Sequence, residues 1–151
     1  MSRYFRIFAI IILLIILVTS FVVGISRVEG SSMYPTITDG EVIGFLRLGG
    51  VNKGDIVTII TEDGNKLIKR IVAAPGDHVE IKSGGLYIND VIDNSFASPD
   101  NYSGWEGIDV TLEENEYYVM GDNRDYSYDS RTYGVIFRDE IKGRVIFHFH
   151  W

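Results

Sequence analysis

Twenty consecutive residues, Ile7 to Ser26, carry no charge, and Arg27 closes the run. At 1.5 Å per helical residue such a run reaches about 30 Å, the thickness of one hydrocarbon core. No other feature of the chain restricts its fold as strongly. A cleavable leader is the rival reading, but its apolar core is usually shorter, roughly 7 to 15 residues, and is followed by a small-residue cleavage site. "VVGISRVEG" offers no clean A-x-A pattern. The run reads as an uncleaved anchor. Arg3 and Arg6 precede it, so the positive-inside rule puts the N-terminus in the cytoplasm. The chain then divides into residues 1–26, a cytoplasmic end with a single transmembrane helix, and residues 27–151, an extracytoplasmic domain at the cell membrane.

Beyond the anchor the pattern changes to short alternating segments. "EVIGFLRL", "DIVTIIT", "KLIKRIVAA", "HVEIK", "LYIND", "EYYVMG" and "GRVIFHFHW" are rich in Val, Ile, Tyr and Phe and read as strands. Asp63-Gly64 and Gly84-Gly85 suit tight hairpins, and Asp39-Gly40 and Pro75-Gly76 mark further turns. Asp93 to Gly107 reads as one long surface loop in which two aromatics, Tyr102 and Trp105, pack it down or touch lipid. No helix longer than two turns is legible outside the anchor. The expected domain is mainly β, mostly antiparallel and partly barrel-like.

The residue types exclude several functions. There is no cysteine, so disulfides, zinc–thiolate sites and cysteine nucleophiles are absent. Twenty-one acidic residues against fourteen basic ones give a net charge of −7, which disfavours nucleic acid. No G-x-S-x-G elbow accompanies any serine. Asp125, Ser127 and Asp129 stand at calcium-loop positions, but Ser130 and Ile136 occupy the places that need Gly and Glu. Paired carboxylates of the glycosidase kind have no sugar cleft to serve. His148 and His150 share one strand face without a nearby third ligand and read as exposed strand residues.

Three stretches carry candidate chemistry. In "VEGSSMYPTIT" Pro35 fixes its own φ and Gly30 permits unusual dihedrals, so a short loop can hold the Ser32 hydroxyl in place. As a plain juxtamembrane linker the same stretch would be ordinary. In "KLIKRIVAA" Leu67, Lys69 and Ile71 share one strand face. A lysine buried there loses solvation, its pKa falls, and it becomes a competent base; on an exposed face it is simply charged. "GDNRDYSYDSRTYG" alternates acidic and basic residues and reads as a hydrogen-bonded scaffold beside a site.

Together, "GSSMYPTI" (Gly30–Ile37), "GDIVTI" (Gly54–Ile59), "LIKRIVAAPGD" (Leu67–Asp77) and "GDNRDYSYDSRTYG" (Gly121–Gly134) resemble the type I signal peptidase family, membrane-bound serine–lysine endopeptidases. The resemblance covers essentially the whole chain. It implies Ser32 as nucleophile, Lys69 as general base and Ser127 as the hydroxyl that orients the lysine amine. It also implies ion pairs Asp129–Arg131 and Asp122–Arg70, with Met33 and Pro35 shaping the nucleophile loop. Gly30 stands where some relatives carry an oxyanion-hole serine, leaving the Ser32 N–H as first donor. Tyr126 replaces a usual asparagine, and Thr132 a common aromatic. The implied activity is removal of signal peptides from secreted preproteins after small residues at the membrane surface. It needs neither metal nor cofactor, and has the lipid bilayer and the secretion translocon as surroundings. A serine–lysine protease dedicated to a specialised precursor, and a catalytically silent binding domain on the same anchor, are the alternatives.

Overall fold

The computed structural model describes residues 3–96, 102 and 104–149. The apolar run is shared between two elements. Helix α1 covers Arg3–Val22, 20 residues, long and apolar enough to cross a membrane. The last residues of the run instead begin strand β1 (Val23–Arg27), which pairs antiparallel with β2 (Val42–Leu46). Gly24 sits opposite Phe45, and a Cβ on it would lie 2.2 Å from the Phe45 ring. The aromatic covers a glycine that weakens a helix, so the strand wins there. The Val22 carbonyl accepts from the Arg47 N–H at 2.8 Å, tying the helix end directly to the sheet.

The remaining elements follow in order: β3 (Ile56–Ile60), β4 (Lys66–Ala73), β5 (His78–Lys82), β6 (Gly85–Ile88), β7 (Val91–Ile92), β8 (Asp109–Thr111) and β9 (Glu116–Met120). A 3₁₀ turn (Arg124–Tyr126), a one-turn helix α2 (Ser130–Tyr133), β10 (Ile136–Phe137) and β11 (Ile141–Phe149) complete the chain. Seven strands form one sheet in the order β1-β2-β11-β3-β4-β9-β10, and four form a second in the order β7-β6-β5-β8. Every pairing is antiparallel. The mainly β, antiparallel expectation therefore holds. Strands β7, β8 and β10 were not legible because two or three residues are too few to show alternation.

Packing divides the interior into three apolar clusters. One lies beneath the small sheet and joins Val79, Ile81 and Leu86 to Tyr118 and Met120 of β9. A second unites Val57, Ile59, Ile71, Val119 and Ile136 within the large sheet. The third joins Val28, Met33 and Ile37 to Ile43 and Phe45. Within the Asp93–Gly107 stretch Tyr102 is 1% exposed and belongs to the first cluster, with Trp105 packed against it. Between lipid and core, Tyr102 takes the core.

Candidate active site

The segment from Ser31 to Thr38 leaves β1 and turns back toward β2. Met33 and Ile37 are buried in the third cluster and act as its two apolar pegs. The Tyr34–Pro35 peptide is cis, and Ile37 N–H donates to the Met33 carbonyl at 3.0 Å. Gly30 adopts φ +91°, a conformation that L side chains rarely take, while its N–H donates to Asp39 Oδ1 at 2.7 Å. Thr38 closes the loop through N–H and Oγ1 donations to Glu41 Oε1, and His148 Nδ1 lies 2.7 Å from Glu41 Oε2. Ser32 is thus carried, half-buried, on a loop pinned at both ends. It lies ten residues past the helix end at Val22, within about 35 Å even for a fully extended chain.

Lys69 comes from the middle of β4. Its register partner is Val57, and it shares a face with Leu67 and Ile71, both in or against the second cluster. The residue is 3% exposed. Its Nζ donates to Ser32 Oγ at 2.8 Å and to the Ile68 carbonyl at 3.1 Å. Burial lowers the lysine pKa to about 8, with the Asp129 carboxylate pulling it part of the way back. The structure therefore brings together, across 37 positions of sequence, a hydroxyl and an amine whose pKa burial has lowered to about 8.

The scaffold stretch after β9 ties these two halves to each other. Asp122 takes Arg70 Nε and Nη2 in a two-point ion pair at 2.8 and 2.7 Å and also accepts from Thr36 Oγ1. One carboxylate thereby links the strand that holds Lys69 to the loop that holds Ser32. Asp129 is fully buried, pairs with Arg131 Nε and Nη2 at 2.9 Å, and accepts from the Gly121 N–H at 3.1 Å. It also caps α2 by accepting from Arg131 N–H. Both expected ion pairs are present.

Ser127 falls differently from expectation. Its Oγ is buried with no hydrogen-bond partner, so the bond to the Lys69 amine is not made in this structure. It nevertheless lies beside the site: a Cβ on Gly121 would sit 2.3 Å from Ser127 Oγ and 2.4 Å from the Ser32 carbonyl. Only glycine fits at 121, since the Ser127 side chain and the Ser32 carbonyl already fill the space a Cβ would take. Sequence reasoning also passed over Asn123, Thr36 and Glu41, whose polar contacts hold the nucleophile loop. The one available signal was their nearness to motif residues. Of the histidines, His148 is 41% exposed in its side chain and paired, His78 pairs with Asp109 in the small sheet, and His150 lies outside the described residues. Among the described residues no three His, Asp or Glu side chains converge to hold a metal ion.

A buried amine on a serine hydroxyl, flanked by two carboxylate–guanidinium pairs, is a constellation for acyl transfer. Comparison with known proteins agrees. The family model described as "Signal peptidase, peptidase S26" matches residues 1–151. A signal peptidase IB of Staphylococcus aureus is 32% identical over 164 residues, covering 93% of this chain and 85% of the relative. A signal peptidase I of Bacillus amyloliquefaciens is 39% identical over 142 residues, covering 82% and 73%. The crystal structure of a signal peptidase I from Enterococcus faecalis superposes with a TM-score of 0.51 at 26% identity, covering 66% of this chain and 99% of that one. Matched along its whole length, with the fold and the serine–lysine contact already in place, the chain belongs to the signal peptidase family, peptidase S26, serine endopeptidases that remove signal peptides.

Proposed function

We propose that Ser32 and Lys69 form the catalytic dyad of this peptidase, which cuts signal peptides after small residues at the membrane surface. The observation that carries the reading is the 2.8 Å contact between Lys69 Nζ and Ser32 Oγ, made by an amine that is buried and lowered to about 8. A neutral Lys69 takes the proton as Ser32 Oγ attacks the scissile carbonyl. The oxyanion collapses, the amine of the mature chain leaves with the proton from Lys69, and the signal peptide stays as an ester on Ser32. Water then attacks the ester, giving a proton to Lys69, which returns it to Ser32 Oγ. Arginine could not serve in place of Lys69, because its guanidinium does not deprotonate in a protein.

The supporting roles are assigned on contacts. Asp122 with Arg70 locks loop to strand, and Asp129 with Arg131 fixes the turn that carries Ser127 and seats Gly121. Once Ser32 is acylated the Lys69 amine keeps the Ile68 carbonyl and gives up the Ser32 hydroxyl, and the unpartnered Ser127 hydroxyl beside Gly121 is the group assigned to orient it. Met33 and Pro35 shape the loop. Helix α1 anchors the enzyme in a single pass, N-terminus in the cytoplasm, with the domain on the far side beside bilayer and translocon. Arg3 and Arg6 support that orientation.

The test is cleavage of a labelled preprotein in detergent by wild type, Ser32→Ala and Lys69→Ala, with product masses measured. Cutting behind an apolar segment after a small residue, lost in both variants, is the expected result. Cleavage that survives Ser32→Ala places the nucleophile elsewhere.

A further inference from the structure

Asn123 grips the peptide group that precedes the nucleophile. Its Nδ2 donates to the Ser31 carbonyl at 3.0 Å, and its backbone N–H donates to the Ser32 carbonyl, also at 3.0 Å. These contacts bind two successive carbonyls of the loop, and they come from a residue 92 positions away in sequence. A peptide unit is planar and trans, so its carbonyl and the following N–H point in opposite directions. Holding the Ser31 carbonyl therefore fixes the direction of the Ser32 N–H. That N–H has no acceptor among the described residues, whereas Gly30 N–H donates to Asp39, Tyr34 N–H to the Ser31 carbonyl and Ile37 N–H to the Met33 carbonyl. A free donor on the nucleophile's own residue is what an oxyanion needs.

We infer that Asn123 is a positioning residue for the oxyanion hole: its side-chain amide holds the Ser31–Ser32 peptide so that the Ser32 N–H faces the oxygen that becomes negative. This rests on the reading of Ser32 as nucleophile. The effect belongs to the transition state, because the ground-state carbonyl oxygen gains much less from the donor than the oxyanion does. The Asn123 backbone bond to Ser32 and the Tyr34 N–H bond to the Ser31 carbonyl persist whatever the side chain, so the loop stays attached in a variant and the Ser31–Ser32 peptide loses one of the two donors that set its tilt.

The experiment compares wild type with Asn123→Ala and Asn123→Asp on one signal-peptide substrate. Two ligands are measured alongside: an uncleavable peptide of the same sequence and its C-terminal aldehyde. Ser32 Oγ adds to the aldehyde carbon and its proton ends on the former carbonyl oxygen, giving a hemiacetal whose oxygen occupies the hole. The expected result is a fall in kcat on the order of 10- to 100-fold, less than the loss of a whole donor, with KM little changed. Aldehyde affinity falls in parallel, and affinity for the uncleavable peptide is retained. Asn123→Asp, which keeps the size and loses the donor, is at least as impaired as Asn123→Ala. The inference is overturned if kcat is unchanged, or if peptide and aldehyde affinities fall together, as a merely structural role requires. Ser32→Ala in the same series separates the two readings: full activity there removes the nucleophile assignment, whereas a dead Ser32→Ala with a normal Asn123→Ala removes only the role of Asn123.

Discussion

The loop that carries Ser32 and the strand that carries Lys69 are built on opposite principles. The loop has little regular structure and is held by polar contacts borrowed from elsewhere: Asp39, Glu41, Asp122 and Asn123 each take or give a hydrogen bond to it. The strand is extended, paired on both sides with one register shift against β9 after Ile71, and surrounds its lysine with aliphatic residues. Position is the product of the first, and proton affinity of the second. Hydrogen bonds are directional and suit the placing of one hydroxyl, whereas burial is non-directional and suits the lowering of a pKa. The 2.8 Å contact is where the two meet.

The largest effects come from removing either half. Ser32→Ala and Lys69→Ala should each lower kcat on the order of 10⁴-fold or more, as loss of one member of a coupled pair does. Lys69→Arg should be equally inactive although it keeps the charge; measurable turnover by that variant would show that the strand supplies charge and no base. Next, Gly121→Ala should cost about 1–3 kcal/mol of stability and most of the activity, because its Cβ collides with Ser127 Oγ and the Ser32 carbonyl. Calorimetry and peptide cleavage read the two together, and a variant of normal activity would mean that the junction can shift without cost.

Asp122→Asn sharpens the comparison, since it cuts the single carboxylate shared by loop and strand. We expect a loss of about 1.5–3 kcal/mol in stability with a fall in kcat, measured by urea titration and initial rates. Equal stability would show that Arg70 is satisfied by Gly54 and solvent alone. The pH dependence tests the strand. Activity should rise with pH through an inflection near 8, as Lys69 loses its proton. Its folded pKa lies below its unfolded value, so between about 8 and 10.5 the unfolded chain binds more protons and stability gains as pH rises. Lys69→Met removes that burden. It should be inactive and slightly more stable than wild type at pH 7, by about 1 kcal/mol, in thermal unfolding. The smallest effect is expected from deleting residues 1–22, which leaves β1 intact on its partner strand. The domain should stay folded and cleave soluble peptide, and a folded but dead truncation would give α1 a part in the site.

Much of this was legible beforehand. Seven strands and four turns announced themselves through alternation and Gly signals, and Lys69 stood out as a cation on an apolar strand face. The end of α1 was not legible: Val23 to Ser26 continues the apolar run unbroken, and it becomes a strand through its pairing with β2, where the Phe45 ring covers Gly24. Hydropathy cannot distinguish lipid from a neighbouring aromatic.

By itself the sequence determined the anchor-length helix, the antiparallel β character and which hydroxyl and amine were chemically eligible. The first two follow from local composition and period, which are properties of neighbouring residues, and the choice of hydroxyl and amine came from motifs that resemble the family's. Tertiary structure alone decided that Lys69 is buried against Val57, that Asp122 joins Arg70 to Thr36, that Ser127 is left without a partner and that Asn123 reaches back to the Ser31 carbonyl. Each of these is a contact between segments tens of residues apart, set by strand order and register, and directional polar geometry of that kind leaves no periodic trace in the chain.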